Sequence, residues 1–261
     1  MKDVSYVSGF VLPFLVGATC LLSGNVHAYE EITVKDGASI YGTISLTGPA
    51  PPPFSYKLTM GAYPKHCASV ADKDGNVMLP RARVSENNAV ADVVIYIQGL
   101  ERGKAAATEG PKLTVNRCQF DQLVMAGMDG TPLRLLMNDT VLHPLRGWEM
   151  VNEGRIPLFH LPDLPNGKET TTELKTRKSG VIMVECDQHR YMQAWILVPL
   201  NPYFATTDAM GHFQIDSIPA GTYTLSAWHP SLGYLEQPLT VVANEKKKVP
   251  FVYHTSQKAK P

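Results

Sequence analysis

The chain has 261 residues, of which 44% are hydrophobic and 18% charged, with 24 Lys and Arg against 24 Asp and Glu. A formal charge of zero leaves no basic footprint for nucleic acid. With 20 Gly and 20 Pro, the composition suits a β-rich chain that buries one large core or two small ones.

Residues Met1 to Ala28 carry Lys2 near the front, an apolar stretch from Phe10 to Leu22 and the small-residue run Val26-His27-Ala28. That is the layout of a secretory signal peptide. Pro13, Gly17 and Ser23 interrupt the apolar stretch, which is too short for a membrane span. A retained anchor or a lipidated Cys20 is the alternative to cleavage. The mature chain of about 230 residues is then expected to be periplasmic or secreted, with no membrane span. It retains three cysteines, Cys67, Cys118 and Cys186, and an odd count in an exported chain calls for one thiol with a separate job.

From Glu31 to Gly48 apolar residues alternate (Ile32, Val34; Ile40, Ile44, Leu46), which predicts a strand pair. Gly48-Pro49 and Pro51-Pro52-Pro53 then stiffen an extended connector. Tyr63 to Asp74 reads as a loop holding His66 and Cys67, with His66 either a ligand or the flank of a disulfide. Asn87-Asn88 marks a turn before a strand over 91–98, and a polar linker follows over 100–111. Strands are then predicted over 112–120, 123–126, 133–137, 156–161, 169–176, 181–184 and 194–198, with Asp129-Gly130 as a hairpin turn. No long stretch carries the helical period.

Between the last two of these strands lies the loop of VECDQHRYMQAWILV, Val184 to Val198, which sets Cys186, His189 and Met192 at i, i+3 and i+6. One thiolate, one imidazole and one thioether can thus meet at a point. A second imidazole would complete a blue-copper set, and His143 follows the strand-like run LRLLMND upstream. In this order, strand, Asn-containing turn, His and then a Cys-x-x-His-x-x-Met loop, the segment resembles a cupredoxin, in the short-loop form similar to that of amicyanin. The resemblance implies a Greek-key sandwich over 111–199 that binds copper through His143, Cys186, His189 and Met192. It also implies one-electron exchange with a redox partner protein such as a cytochrome or a dehydrogenase. With Cys186 as the metal thiolate, Cys67 and Cys118 are left to pair as a disulfide in an oxidising compartment.

Two departures from the family pattern stand beside His143. Pro144 occupies the position where the family commonly has Asn, and Leu145-Arg146 replaces a further His. His160, in IPLFHLPDLP, is a reserve ligand or a solvent-facing side chain. Trp195 is expected in the core, and Tyr191 either in the core or in an apolar rim for partner docking.

The last block, 200–255, resembles the transthyretin-like regulatory module found beside carboxypeptidases, in DAMGHFQIDSIPAGTYTL with Gly211 and Gly221 as turn residues. That module usually begins with a strand like Ala38 to Leu46, so the resemblance implies a discontinuous second β-domain from 29–110 and 200–255, followed by a tail over 256–261. The whole chain resembles the methylamine utilisation proteins. His212 and His229 are expected on the surface of this module.

The fold class expected is therefore all-β, an antiparallel sandwich plus a second, smaller one. No Ser-His-Asp order, paired-carboxylate motif, phosphate loop or haem-attachment Cys-x-x-Cys-His occurs, so no enzymatic activity is expected. Alternatives to electron transfer are a Cu(I) carrier or store, and an interaction module with a vestigial metal loop.

Overall fold

The computed structural model describes residues 29–152 and 154–255. The leader expected over 1–28 and the tail over 256–261 lie outside the described residues. Among the described residues no helix is long and apolar enough to cross a membrane. The described chain is all-β, with two short 3-10 turns at Leu58–Met60 and His66–Val70.

One sandwich is built from both ends of the chain. Strand Ala38–Thr47 alternates buried and open positions, as its apolar spacing requires, and pairs antiparallel with His212–Ile218. On its other edge it runs parallel to Lys246–Lys248 and then to Phe251–His254. Gly42 sits where the partner changes, and a Cβ there would meet the Val249 carbonyl at 2.1 Å. The facing sheet runs Phe204–Thr206, Val94–Gln98, Gly221–His229, Gly233–Val241, antiparallel throughout. Ile40, Ile44, Ile95, Ile97, Leu225 and Leu239 fill the space between.

The other sandwich holds the candidate ligands. Its first sheet runs Glu169–Glu173, Pro132–Asn138, Lys112–Asn116, Gln119–Phe120. The second runs Gly154–Leu161, Leu145–Val151, Val181–Cys186, Gln193–Leu197, Val124–Ala126. Pairing is antiparallel except for two parallel contacts, Lys112–Asn116 with Pro132–Asn138 and Val124–Ala126 with Gln193–Leu197. Asp129-Gly130 therefore turns the chain from one sheet to the other rather than closing a hairpin, with Gly130 at φ +81°.

Strand Leu145–Val151 has no counterpart among the predicted strands. Its inward positions include Gly147 and Glu149, which break the apolar alternation. Gly147 is required because the Phe159 ring lies 2.2 Å from where a Cβ would stand. Glu149 is buried yet satisfied, since its carboxylate accepts backbone N–H groups of Arg177, Lys178 and Ser179. The run 112–120, predicted as one strand, is a tight hairpin that turns at Arg117 and Cys118, both at positive φ.

Segment 54–79 forms its own antiparallel hairpin, Phe54–Lys57 with Asn76–Leu79, and packs Leu58, Cys67 and Val77 into the core that contains Cys186. The two sandwiches meet through Val94, Val124, Val181, Leu197 and Trp228. Partly buried Trp195 packs against this junction rather than within either sandwich.

Candidate metal centre

Strand Val181–Cys186 is buried at every position but Glu185, and it delivers Cys186 at its end. Its antiparallel neighbour pairs Leu145 with Cys186, so His143, two residues earlier, stands beside the thiol. The Asp187 N–H donates to the Pro144 carbonyl at 3.0 Å and clamps these two chain segments together. Downstream, the Met192 N–H donates to the His189 carbonyl at 2.7 Å, and the Cys186 N–H donates to the Met192 carbonyl at 3.2 Å. Backbone pairing thus closes the Cys-x-x-His-x-x-Met segment into a loop with its first and last residues adjacent.

Cys186 Sγ lies 3.7 Å from His143 Nδ1 and 3.6 Å from His189 Nδ1, and the two imidazole centroids are 4.8 Å apart. All three side chains are buried, and Cys186 is the free cysteine among the described residues. Met192 is buried in the same core cluster. An ion bound at roughly 2.0–2.1 Å to nitrogen and roughly 2.3 Å to sulfur, with ligands near 120° apart, sets a nitrogen-to-sulfur edge of about 3.7 Å. The observed separations fit that requirement. Two imidazoles and a thiolate form a set suited to copper, with Met192 the candidate thioether beside them in the same core cluster.

Each imidazole is oriented by a partner on its far side. His189 Nε2 is 2.9 Å from the Ala62 carbonyl oxygen, an acceptor only, so Nε2 carries the proton and Nδ1 presents its lone pair toward Cys186. His143 Nε2 donates to Asp139 Oδ2 at 3.2 Å, with the same result. Asp139 is the hub of this arrangement. Burial alone would raise its pKa, but it accepts the Cys118 N–H at 2.6 Å, His66 Nε2 at 2.9 Å and the Thr140 N–H at 2.7 Å, and the net effect holds it near 2. It is therefore a carboxylate at neutral pH.

Burial, and next the neighbouring His189, push the His143 pKa down; burial does the same to His189. Both rings are thus neutral and able to coordinate. The Cys186 thiol is pushed up to about 11 by burial, against a smaller opposing pull from the backbone N–H groups of Gln188 and His189. The thiol is therefore protonated at neutral pH, and metal binding would displace its proton.

The remaining histidines fall elsewhere. His66 donates to Asp139 from a partly exposed position, one shell away from the thiol, and so faces the hub rather than the donor set. His160 is largely exposed and pairs with Asp187 at 3.3 Å, away from the thiol. His212 is exposed beside Asp208. His229, expected on the surface, is fully buried: strand Gly221–His229 turns its last residues inward, and burial takes the pKa down to about 4. Tyr191 is also buried, its ring 5.3 Å from Tyr56 and 5.7 Å from His189, so it packs under the loop and offers no docking rim.

Cys67 and Cys118 form a disulfide, fully buried, with Cys67 Sγ 3.5 Å from His189 Nε2. It ties the arm carrying Ala62 to the hairpin turn whose Cys118 N–H holds Asp139. Neither Asp139 nor Ala62 was marked as functional by the sequence. Asp139 sits four residues before His143, beside Asn138 at a turn, which is a usable signal. A backbone carbonyl such as that of Ala62 has none.

A family model described as polysaccharide lyase family 4, domain II, matches residues 201–249. No curated protein matches the chain. Among solved structures, a purple cupredoxin from Nitrosopumilus maritimus is 20% identical over 34% of this chain and 99% of its own, with a TM-score of 0.29. Amicyanin from Paracoccus versutus is 10% identical over 40% of this chain and 97% of its own, at 0.30. A copper-containing nitrite reductase from Thermus scotoductus SA-01 is 21% identical over 37% of this chain and 24% of its own, at 0.29.

Proposed function

We propose that the chain is an exported protein that holds a type 1 copper ion between His143, Cys186, His189 and Met192 and passes single electrons to and from a redox partner protein, such as a cytochrome or a dehydrogenase. The observation that carries this reading is the convergence of two imidazole Nδ1 atoms on one thiol, at 3.6 and 3.7 Å, with both Nε2 atoms tied to acceptors behind them. Bound copper supplies a one-electron couple whose potential depends on the ligands and on hydrogen bonding around the sulfur.

The chain's own residues do the rest. Asp139 and the Ala62 carbonyl fix the tautomers and the ring planes, so little rearrangement is needed between oxidation states. The backbone N–H groups of Gln188 and His189 oppose the upward push of burial on the Cys186 thiol. Burial of Cys186, His143 and His189 excludes water from the thiol and the two imidazoles. Catalysis is not part of this reading, and the periplasm or the exterior of the cell is its setting. The regulatory-like sandwich built from 29–110 and 200–255 would carry the copper unit, as the likeness to methylamine utilisation proteins implies.

A second reading, a Cu(I) carrier, is favoured by one observation: both imidazoles are fully enclosed, which suits retention of the ion. Visible absorption of the copper-loaded protein separates the two. An intense thiolate-to-Cu(II) band supports electron transfer, tight colourless Cu(I) supports the carrier, and failure to bind copper sinks both.

A further inference from the structure

The sequence assigns no role to the strip where the two sandwiches and the hairpin over 54–79 come together. A cleft of about 500 Å³ opens there, a volume within the range of small-molecule sites. Phe54, Phe120, Trp195 and Met192 give it apolar walls, and Arg81 and Arg190 line it as well.

Charge in this cleft is unbalanced. Its third guanidinium, Arg83, is paired with Asp92. Its carboxylate, Asp121, accepts the Thr114 N–H at 2.8 Å. Arg81 and Arg190 take part in no ion pair among the described residues. Two guanidinium groups without carboxylate partners, beside aromatic and thioether surface, match a flat ring that carries an anionic group. A guanidinium meets a carboxylate through two parallel hydrogen bonds and also stacks on aromatic faces.

We propose that this cleft is a binding site for a small aromatic carboxylate, held by Arg81 and Arg190 with its ring against Phe120, Trp195 and Met192. Arg190 lies directly after His189 in the loop, and Met192 faces both the cleft and the core of the candidate ligands. Negative charge placed there favours the more positive oxidation state of a metal in the loop. This last consequence rests on the copper reading; the site itself does not.

The experiment uses the full mature chain, first without metal. Titration with 2-naphthoate, followed by calorimetry and by ligand-observed NMR, is expected to show one site. Neutral 2-naphthalenemethanol and the Arg81→Gln/Arg190→Gln double variant are each expected to reduce affinity about tenfold or more, the loss of a charge-assisted contact. Lys73→Gln, a change at an exposed cation outside the cleft, is expected to leave affinity unaltered. Equal binding of acid and alcohol, equal binding by the double variant, or no binding overturns the proposal, as does competition by inorganic phosphate at equal concentration. With copper loaded, 2-naphthoate is expected to lower the midpoint potential of the wild type and leave that of the double variant unmoved. Should the protein bind naphthoate but show no copper couple, the cleft stands and the copper reading fails. A couple indifferent to naphthoate that is bound in the wild type removes the link between the two.

Discussion

At the scale of single residues, the chemistry depends on which atom of each side chain faces the thiol. Cys186→Ser removes the sulfur that gives a thiolate-to-copper band, while the serine hydroxyl fills nearly the same buried space at a strand end. The expected outcome is loss of visible colour with an unchanged far-ultraviolet circular dichroism spectrum; a retained band would show that Cys186 is not the ligand. Asp139→Ala removes the acceptor for His143 Nε2 and for the Cys118 N–H together. Copper affinity should fall by about 10- to 100-fold, as measured by competition with a chelator of known affinity. Pro144 follows His143 and has no N–H to offer the sulfur. Pro144→Asn can add a donor, withdraw charge from the sulfur and favour Cu(I). Paired redox titrations should show a raised midpoint, and a lowered or unchanged one would mean that residue 144 does not face Cys186.

At the scale of elements, the disulfide joins two pieces that no sheet connects. Cys67 sits on the 3-10 turn His66–Val70, and Cys118 sits at a hairpin turn in the left-handed region at φ +57°. Such a turn costs free energy in a residue other than glycine and persists because its surroundings hold it. Here the disulfide and the bond to Asp139 do so. Closing a loop with a sequence separation of 51 corresponds to about 4 kcal/mol of stability in the chain-entropy description. Replacing both cysteines by Ala should lower the denaturation free energy by an amount of that order and weaken copper binding through the displaced Ala62 arm. Chemical denaturation of the metal-free protein measures the first effect, and a loss below about 1 kcal/mol would contradict the loop-closure account.

The strand Leu145–Val151 shows where pattern reading fails at this scale. A strand is legible when one of its faces is uniformly apolar, and this one turns Gly147 and Glu149 inward. Glu149 is tolerated there because N–H groups from 177–179 surround it, and those residues are distant in sequence. Nothing local to 145–151 announces them.

At the scale of the whole molecule, two sandwiches share a junction of Val94, Val124, Val181, Leu197 and Trp228, and His229 lies at the edge of that region in complete burial. Its Nδ1 accepts the Ser231 N–H, which leaves Nε2 as a buried donor without a partner among the described residues. The folded pKa is depressed to about 4 by burial and by Arg83, whereas the unfolded value is near 6.5. Above pH 6.5 both states hold a neutral ring and stability does not depend on it. As pH falls from 6.5 toward 4 the unfolded state takes up the proton first, so stability is lost, by about 3 kcal/mol at the bottom of that window. His229→Phe should therefore lose less stability than the wild type between pH 7 and pH 4.5. Urea denaturation at the two values tests this, and equal losses would exclude His229 as the source of acid sensitivity.

What the sequence by itself determined is what short-range pattern can encode. Period-two alternation and turn residues indicated an all-β chain, because which face of a strand meets the core depends on neighbours one and two positions away, while the division into two sandwiches came from the family resemblances. Cys186, His189 and Met192 stand out as candidate ligands because one loop carries all three, and His143 because a turn precedes it; the fold brings His143, Cys186 and His189 together. Tertiary structure alone decided which nitrogen of His189 faces the thiol, since the Ala62 carbonyl that fixes it lies 127 positions away. It likewise decided that His229 is buried, that the Cys67–Cys118 bridge lies against the candidate site, and that Arg81 and Arg190 share a cleft. Each of these depends on which strands become neighbours, and contacts across such distances in sequence leave no trace in the local order of residues.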